Sequence, residues 1–127
     1  MRKVRAVVGV LLASSTAILM SVLPAQAGSA TTSSLIINNG SGKSVTLNCD
    51  DLGTNTHPHA GEACAEIEKF QGDIERIPVL DGAFCTGLWL PVTISATGTW
   101  QGRPLSFREV ASNVGCGRIS HQHVFLY

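Results

Sequence analysis

The chain predicts an α+β domain, with roughly five strands in an antiparallel sheet, one clear helix and two disulfides. Three observations carry this. Several short runs alternate polar and apolar residues with the period of a half-buried strand, as in Ser44–Cys49 and Val92–Trp100. One stretch, Glu62–Ile77, instead repeats apolar residues at spacings of three and four. The chain also holds four cysteines, and an even count in a small exported chain reads as a disulfide framework.

The elements follow in order. Gly28–Ser34 is small and polar, a loose arm. Leu35-Ile36-Ile37 is a short β-branched run, Asn39-Gly40-Ser41-Gly42 a strong turn, and Ser44–Cys49 the alternating partner, so the three read as a hairpin. Asp50–Gly61 is a loop broken by Gly53, Pro58 and Gly61, and its His57-Pro58-His59 reads as plain surface, because two histidines without a third ligand do not hold a metal. In Glu62–Ile77 the residues Ala63, Ile67, Phe70, Ile74 and Ile77 form one apolar stripe, with Gly72 weakening or splitting the helix and Pro78 stopping it. Val92–Trp100, a turn at Gln101-Gly102-Arg103-Pro104 and Leu105–Val110 make a second hairpin. Asn113–Gly117 is irregular, and His123–Tyr127 is a closing strand.

The beginning of the chain is of another kind. Met1-Arg2-Lys3-Val4-Arg5 is basic, Ala6–Leu23 is mostly apolar, and Pro24-Ala25-Gln26-Ala27 ends in a small-residue cleavage site. This reads as a secretory signal peptide over residues 1–27, cut after Ala27, rather than as a membrane anchor. The remaining domain, residues 28–127, is then extracellular. Without Arg2, Lys3 and Arg5 it keeps six basic residues against nine acidic ones, a net charge of −3. No basic patch points to nucleic acid, and no second apolar run is long enough to span a bilayer.

The stretch Phe84-Cys85-Thr86-Gly87-Leu88-Trp89-Leu90-Pro91 follows the turn signal Asp81-Gly82 and contains a cysteine. It reads as an extended binding loop tied down by a disulfide, since a pinned loop loses less entropy on binding. The same run could also be a strand start whose Leu88 and Trp89 face the core. Nothing points to an enzyme. There is no G-x-S-x-G, no H-E-x-x-H and no Gly-rich phosphate loop. The four cysteines, Cys49, Cys64, Cys85 and Cys116, lack C-x-x-C spacing for zinc, and no cofactor is implied. Three disulfide pairings are open, of which Cys49–Cys64 with Cys85–Cys116 closes the shortest loops, worth roughly 3 kcal/mol or somewhat more each in the chain-entropy model.

Several pieces together are similar to a known family: Val45-Thr46-Leu47-x-Cys49; Thr56-His57-Pro58-x-x-Gly61-x-Ala63-Cys64; Cys85 and then Pro91-Val92; Gly98-x-Trp100-Gln101-Gly102; Ser106-Phe107; and Ser112-Asn113 before Cys116. Over nearly all of 34–127 the chain resembles the subtilisin-inhibitor-like family, small secreted protease inhibitors of actinobacteria. The resemblance implies a five-stranded antiparallel sheet with two helices, sequential disulfides and a homodimer joined sheet against sheet. It implies inhibition of subtilisin-like serine proteases through a substrate-like loop that is bound tightly and cleaved slowly. The physics fits such a role: two disulfides flanking the bond would hold both product ends in place, so that religation competes with release. The resemblance sets the reactive bond between Gly87 and Leu88. Phe84 is then P4, Cys85 P3, Thr86 P2, Gly87 P1, Leu88 P1′ and Trp89 P2′, with Leu90 beyond, and Asn113 braces the loop from behind. Gly87 stands where the family commonly has Met, Lys or Arg, and Thr86 where it has proline. A competing register puts Leu88 itself at P1. Relatives also act as transglutaminase substrates or regulators, which makes Lys43, Lys69, Gln71, Gln101 and Gln122 possible cross-link sites on a non-inhibitory binding module.

Overall fold

The computed structural model describes Gly9 and residues 31–127, so the leader expected at residues 1–27 lies outside the described residues. Strands β1 (Ser34–Asn38), β2 (Ser44–Asn48), β3 (Val92–Trp100) and β4 (Arg103–Ala111) form one antiparallel sheet in the order β2-β1-β3-β4. Helix α1 spans Ala60–Lys69 and helix α2 spans Val114–Ile119. Short 3-10 turns cover Leu52–Thr54 and Ile74–Arg76. No helix among the described residues is long and apolar enough to cross a membrane.

The sheet alternates as a half-buried sheet must. Leu35, Ile37, Leu47, Ile94, Ala96 and Trp100 point to one face and are buried there with Ala63 and Ile67 of α1, Ile74, Ile77, Val124 and Phe125. The register puts Ile36, Thr97 and Ser106 side by side on the opposite face, and all three are exposed. The loop between β3 and β4 is only Gln101-Gly102. Both residues are left-handed, at φ 48° and 74°, which matches the twist of a tight hairpin. Pro104 therefore belongs to β4 rather than to the turn. It is tolerated there because β4 is a sheet edge, where a missing N–H leaves no ladder bond open.

Four expectations from the sequence are corrected. The sheet has four strands, not five, among the described residues. His123–Tyr127 does not pair, because Val124 and Phe125 are adjacent and both fully buried, which alternating strand geometry cannot achieve on one packed face. The segment instead runs in turns, with Val124 N–H donating to His121 O and Leu126 N–H to His123 O, each at 3.1 Å. The helix expected over Glu62–Ile77 starts earlier and stops at Lys69. Gln71 and Gly72 turn left-handed at φ 56° and 84°, and Gln71 N–H and Gly72 N–H donate back to Glu68 O and Ile67 O at 2.9 Å each. This is a Schellman ending. The 3-10 turn then returns Ile74 and Ile77 to the same core, so the apolar stripe survives the break. Asn113–Gly117 is not irregular but enters α2. The polar arm ends before Ser33, which is buried and donates its N–H to Asp50 Oδ2 at 2.7 Å.

Candidate functional site

Residues 84–91 lie outside every regular element, between the turn at Asp81-Gly82 and the start of β3. Phe84 is 95% exposed, Leu88 58%, Trp89 69% and Leu90 63%. The reading of this run as a core-facing strand start is therefore wrong, and the stretch is an exposed loop. Large apolar side chains held in water oppose the hydrophobic effect, so a run of them marks a surface kept for contact.

The loop is held from below by one short segment, Ser112–Cys116. Leu90 N–H donates to Ser112 O at 2.8 Å. Cys85 is bonded to Cys116, and Cys49 to Cys64. Only the first of these disulfides touches the loop. The second ties β2 to α1, so the expectation that disulfides hold both sides of the reactive bond is corrected: on the far side the anchors are hydrogen bonds.

Asn113 supplies the central ones. It is the N-cap of α2, extended at φ −164°, with Oδ1 accepting Cys116 N–H at 2.9 Å. That bond fixes the orientation of the amide. Its two Nδ2 hydrogens then go to Thr86 O at 3.1 Å and Leu88 O at 2.8 Å. The side chain is buried while Thr86 and Leu88 are exposed, so these bonds are part-buried, anchored from the protein side. Asn113 thus grips the carbonyls on either side of residue 87 and leaves the carbonyl of Gly87 between them.

The site is a protrusion. A depression of about 640 Å³ lies elsewhere, lined by Trp100, Gln71, Gln101, Arg103 and Glu68 among others. The histidines do not join the loop. His57, expected at the surface, is buried: Nδ1 accepts His59 N–H at 3.0 Å and Nε2 donates to Val124 O at 2.9 Å. Burial holds its imidazole below the ordinary value, against the opposing pull of the Val124 carbonyl. Both bonds suit a neutral ring with its proton on Nε2. His121 meets Glu109 at 3.2 Å, and His123 meets Glu66. These pairs are 12 and 57 residues apart in sequence, and no local signal could have shown them. Among the described residues no three metal-ligating side chains are grouped to hold an ion. Lys43, Lys69, Gln71 and Gln101 are exposed and Gln122 is half-buried. Of these, Gln71, Gln101 and Gln122 are left-handed. Ser112 enters the sequence reading only as part of a motif; that its carbonyl holds Leu90 escaped that reading, since a main-chain acceptor has no residue signature.

Comparison with known proteins bears on this arrangement. The model of the subtilisin inhibitor-like family matches residues 21–113. The chain is 38% identical over 90 residues to "Subtilisin inhibitor-like protein 2" of Streptomyces rochei, covering 64% of this chain and 80% of that protein. It is 36% identical over 72 residues to "Protease inhibitor SIL-V5" of Streptomyces luteoverticillatus, covering 56% and 67% respectively. Among solved structures it is similar to Streptomyces caespitosus sermetstatin in complex with Bacillus licheniformis subtilisin. There the TM-score is 0.54 and the identity 23%, over 74% of this chain and 94% of that one, a likeness of fold.

Proposed function

Because the chain belongs to the subtilisin inhibitor-like family, we propose that it is a secreted inhibitor of subtilisin-like serine proteases, occupying the protease cleft with Phe84–Leu90. The observation that carries this is the two-handed grip of Asn113 on the carbonyls of residues 86 and 88. A protease attacks one carbonyl and needs its oxygen free to enter an oxyanion hole. Bracing the neighbours and sparing Gly87 supports Gly87–Leu88 as the reactive bond over the register with Leu88 at P1. In that other register the attacked carbonyl would be one that Asn113 already holds.

The same anchors account for slow turnover. If the bond is cut, the new end at Gly87 stays tied through Thr86 O and the Cys85–Cys116 disulfide. The new end at Leu88 stays tied through Leu88 O and Leu90 N–H. Both remain on Ser112–Cys116, so the amine is kept beside the acyl group and religation outruns escape. Export follows from the basic, apolar and small-residue pattern of residues 1–27 and suits a domain with two disulfides. The polar outer sheet face, with Ile36 and Val110 standing out of it, is the surface we assign to a homodimer.

Titration of the purified mature protein against subtilisin and trypsin tests the proposal. The expected result is stoichiometric loss of subtilisin activity, with limited proteolysis exposing Leu88 as a new N-terminus. No inhibition of either protease at micromolar excess defeats it, and a new N-terminus at Trp89 defeats the register.

A further inference from the structure

Gly87 is not a glycine the fold requires. Six described glycines are left-handed, and Gly87 is not among them. A Cβ built on it meets nothing within 4 Å. At Gly72, by contrast, a Cβ would lie 2.7 Å from Trp100 Cδ1. Any residue fits at 87 without strain, so its missing side chain is a statement about what docks there. The rest of the loop says the opposite: Phe84, Leu88, Trp89 and Leu90 are large, apolar and bare, and no charged residue lies between Phe84 and Leu90.

Resting on the inhibitor reading above, we infer that the partner is a serine protease whose primary pocket is closed to side chains, and that Phe84 anchors the complex in an apolar subsite of that partner. An open pocket placed over Gly87 would remain unfilled, and its lining would forgo the contacts a side chain gives. A shut pocket makes flush contact with glycine and clashes with rivals that carry Met, Lys or Arg there, so the bare position selects by exclusion. The affinity that residue 87 does not supply then comes from its neighbours. Phe84 stands almost wholly in water beside the disulfide that fixes its backbone, so it has the most apolar surface to bury and little ordering to lose.

The experiment compares inhibition constants for pancreatic elastase, whose primary pocket is small, and chymotrypsin, whose pocket is an apolar slot. The mature protein, Gly87→Phe and Phe84→Ala are each measured. Wild type is expected to bind elastase roughly tenfold or more tightly than chymotrypsin, and Gly87→Phe to reverse that order. Phe84→Ala is expected to weaken elastase binding by about tenfold or more. Thermal melts of both variants are expected to match wild type, because position 87 is open and Phe84 is bare. Wild type inhibiting chymotrypsin as tightly as elastase overturns the inference while the inhibitor reading stands, as does Phe84→Ala binding within about threefold of wild type. Failure to inhibit elastase, chymotrypsin and subtilisin alike overturns both.

Discussion

Asn113 joins two segments with one amide: its oxygen caps α2, and its nitrogen holds the loop at residues 86 and 88. Asn113→Asp separates the two roles. The carboxylate keeps the cap and loses both donors, while placing negative charge against two carbonyl oxygens. The mature variant should melt below wild type and bind subtilisin about tenfold or more weakly, with faster cleavage at Gly87–Leu88 in a timed digest. His57 makes a second prediction. Burial depresses its pKa in the folded state, so the unfolded chain takes up a proton first as pH falls through about 6.5. Stability is thus complete above that value and declines below it. Protonation would put a hydrogen on Nδ1, facing His59 N–H, although Glu62 and Glu66 nearby soften the effect. Urea denaturation between about pH 7.5 and 5.5 should show the loss, with a shallower slope in His57→Gln.

The elements show where local sequence decides and where it does not. Gly72 lies against the Trp100 indole in a left-handed conformation, so Gly72→Ala should lower stability by about 1–3 kcal/mol in a urea titration. Gly87→Ala, open on all sides, should leave it unchanged. Three strands were legible because period-two alternation is a local property, β1 from its short β-branched run, and the stripe of α1 from its helical spacing. The position of the helix end was less so. Gly72 marked the break, but the Schellman bonds place Gln71 as well in the left-handed region. Helix α2 is six residues long and holds two glycines, too short and weak for any periodicity to show. The false fifth strand has the opposite cause. Val124-Phe125-Leu126 has β-rich composition, but the donors that fix it belong to distant residues: His57 Nε2 donates to Val124 O, and Asn39 Nδ2 donates to Phe125 O and Tyr127 O. The loop at 84–90 could be read from its turn signals and cysteine. Which carbonyls are braced could not, since that depends on where Asn113 comes to rest.

At the scale of the molecule, one sheet face is committed to the core and the other is uncovered among the described residues. Ile36 and Val110 are 57% and 63% exposed there, among threonines and serines. If this face joins two copies, sedimentation equilibrium of the mature protein should give twice the mass of one chain at micromolar concentration. Ile36→Glu, which places a charge in the middle of the face, should return the mass of one. A wild-type protein that sediments as a single chain would remove the dimer from the proposal. The loop emerges near the first turn of α2, and its inhibition constant in the Ile36→Glu variant should stay near wild type.

The loop is fastened by main-chain atoms, one amide and a disulfide, and none of these fastenings uses the side chains of Phe84, Gly87, Leu88 or Trp89. Recognition and folding are thereby inherited separately. If the proposed site is right, changes at Phe84, Gly87, Leu88 or Trp89 alter what is bound while drawing little on the narrow stability margin that constrains most substitutions. Under the proposed function, a lineage carrying this scaffold can follow an evolving protease one codon at a time without passing through unfolded intermediates, and a randomised library at those four positions should yield mostly folded members.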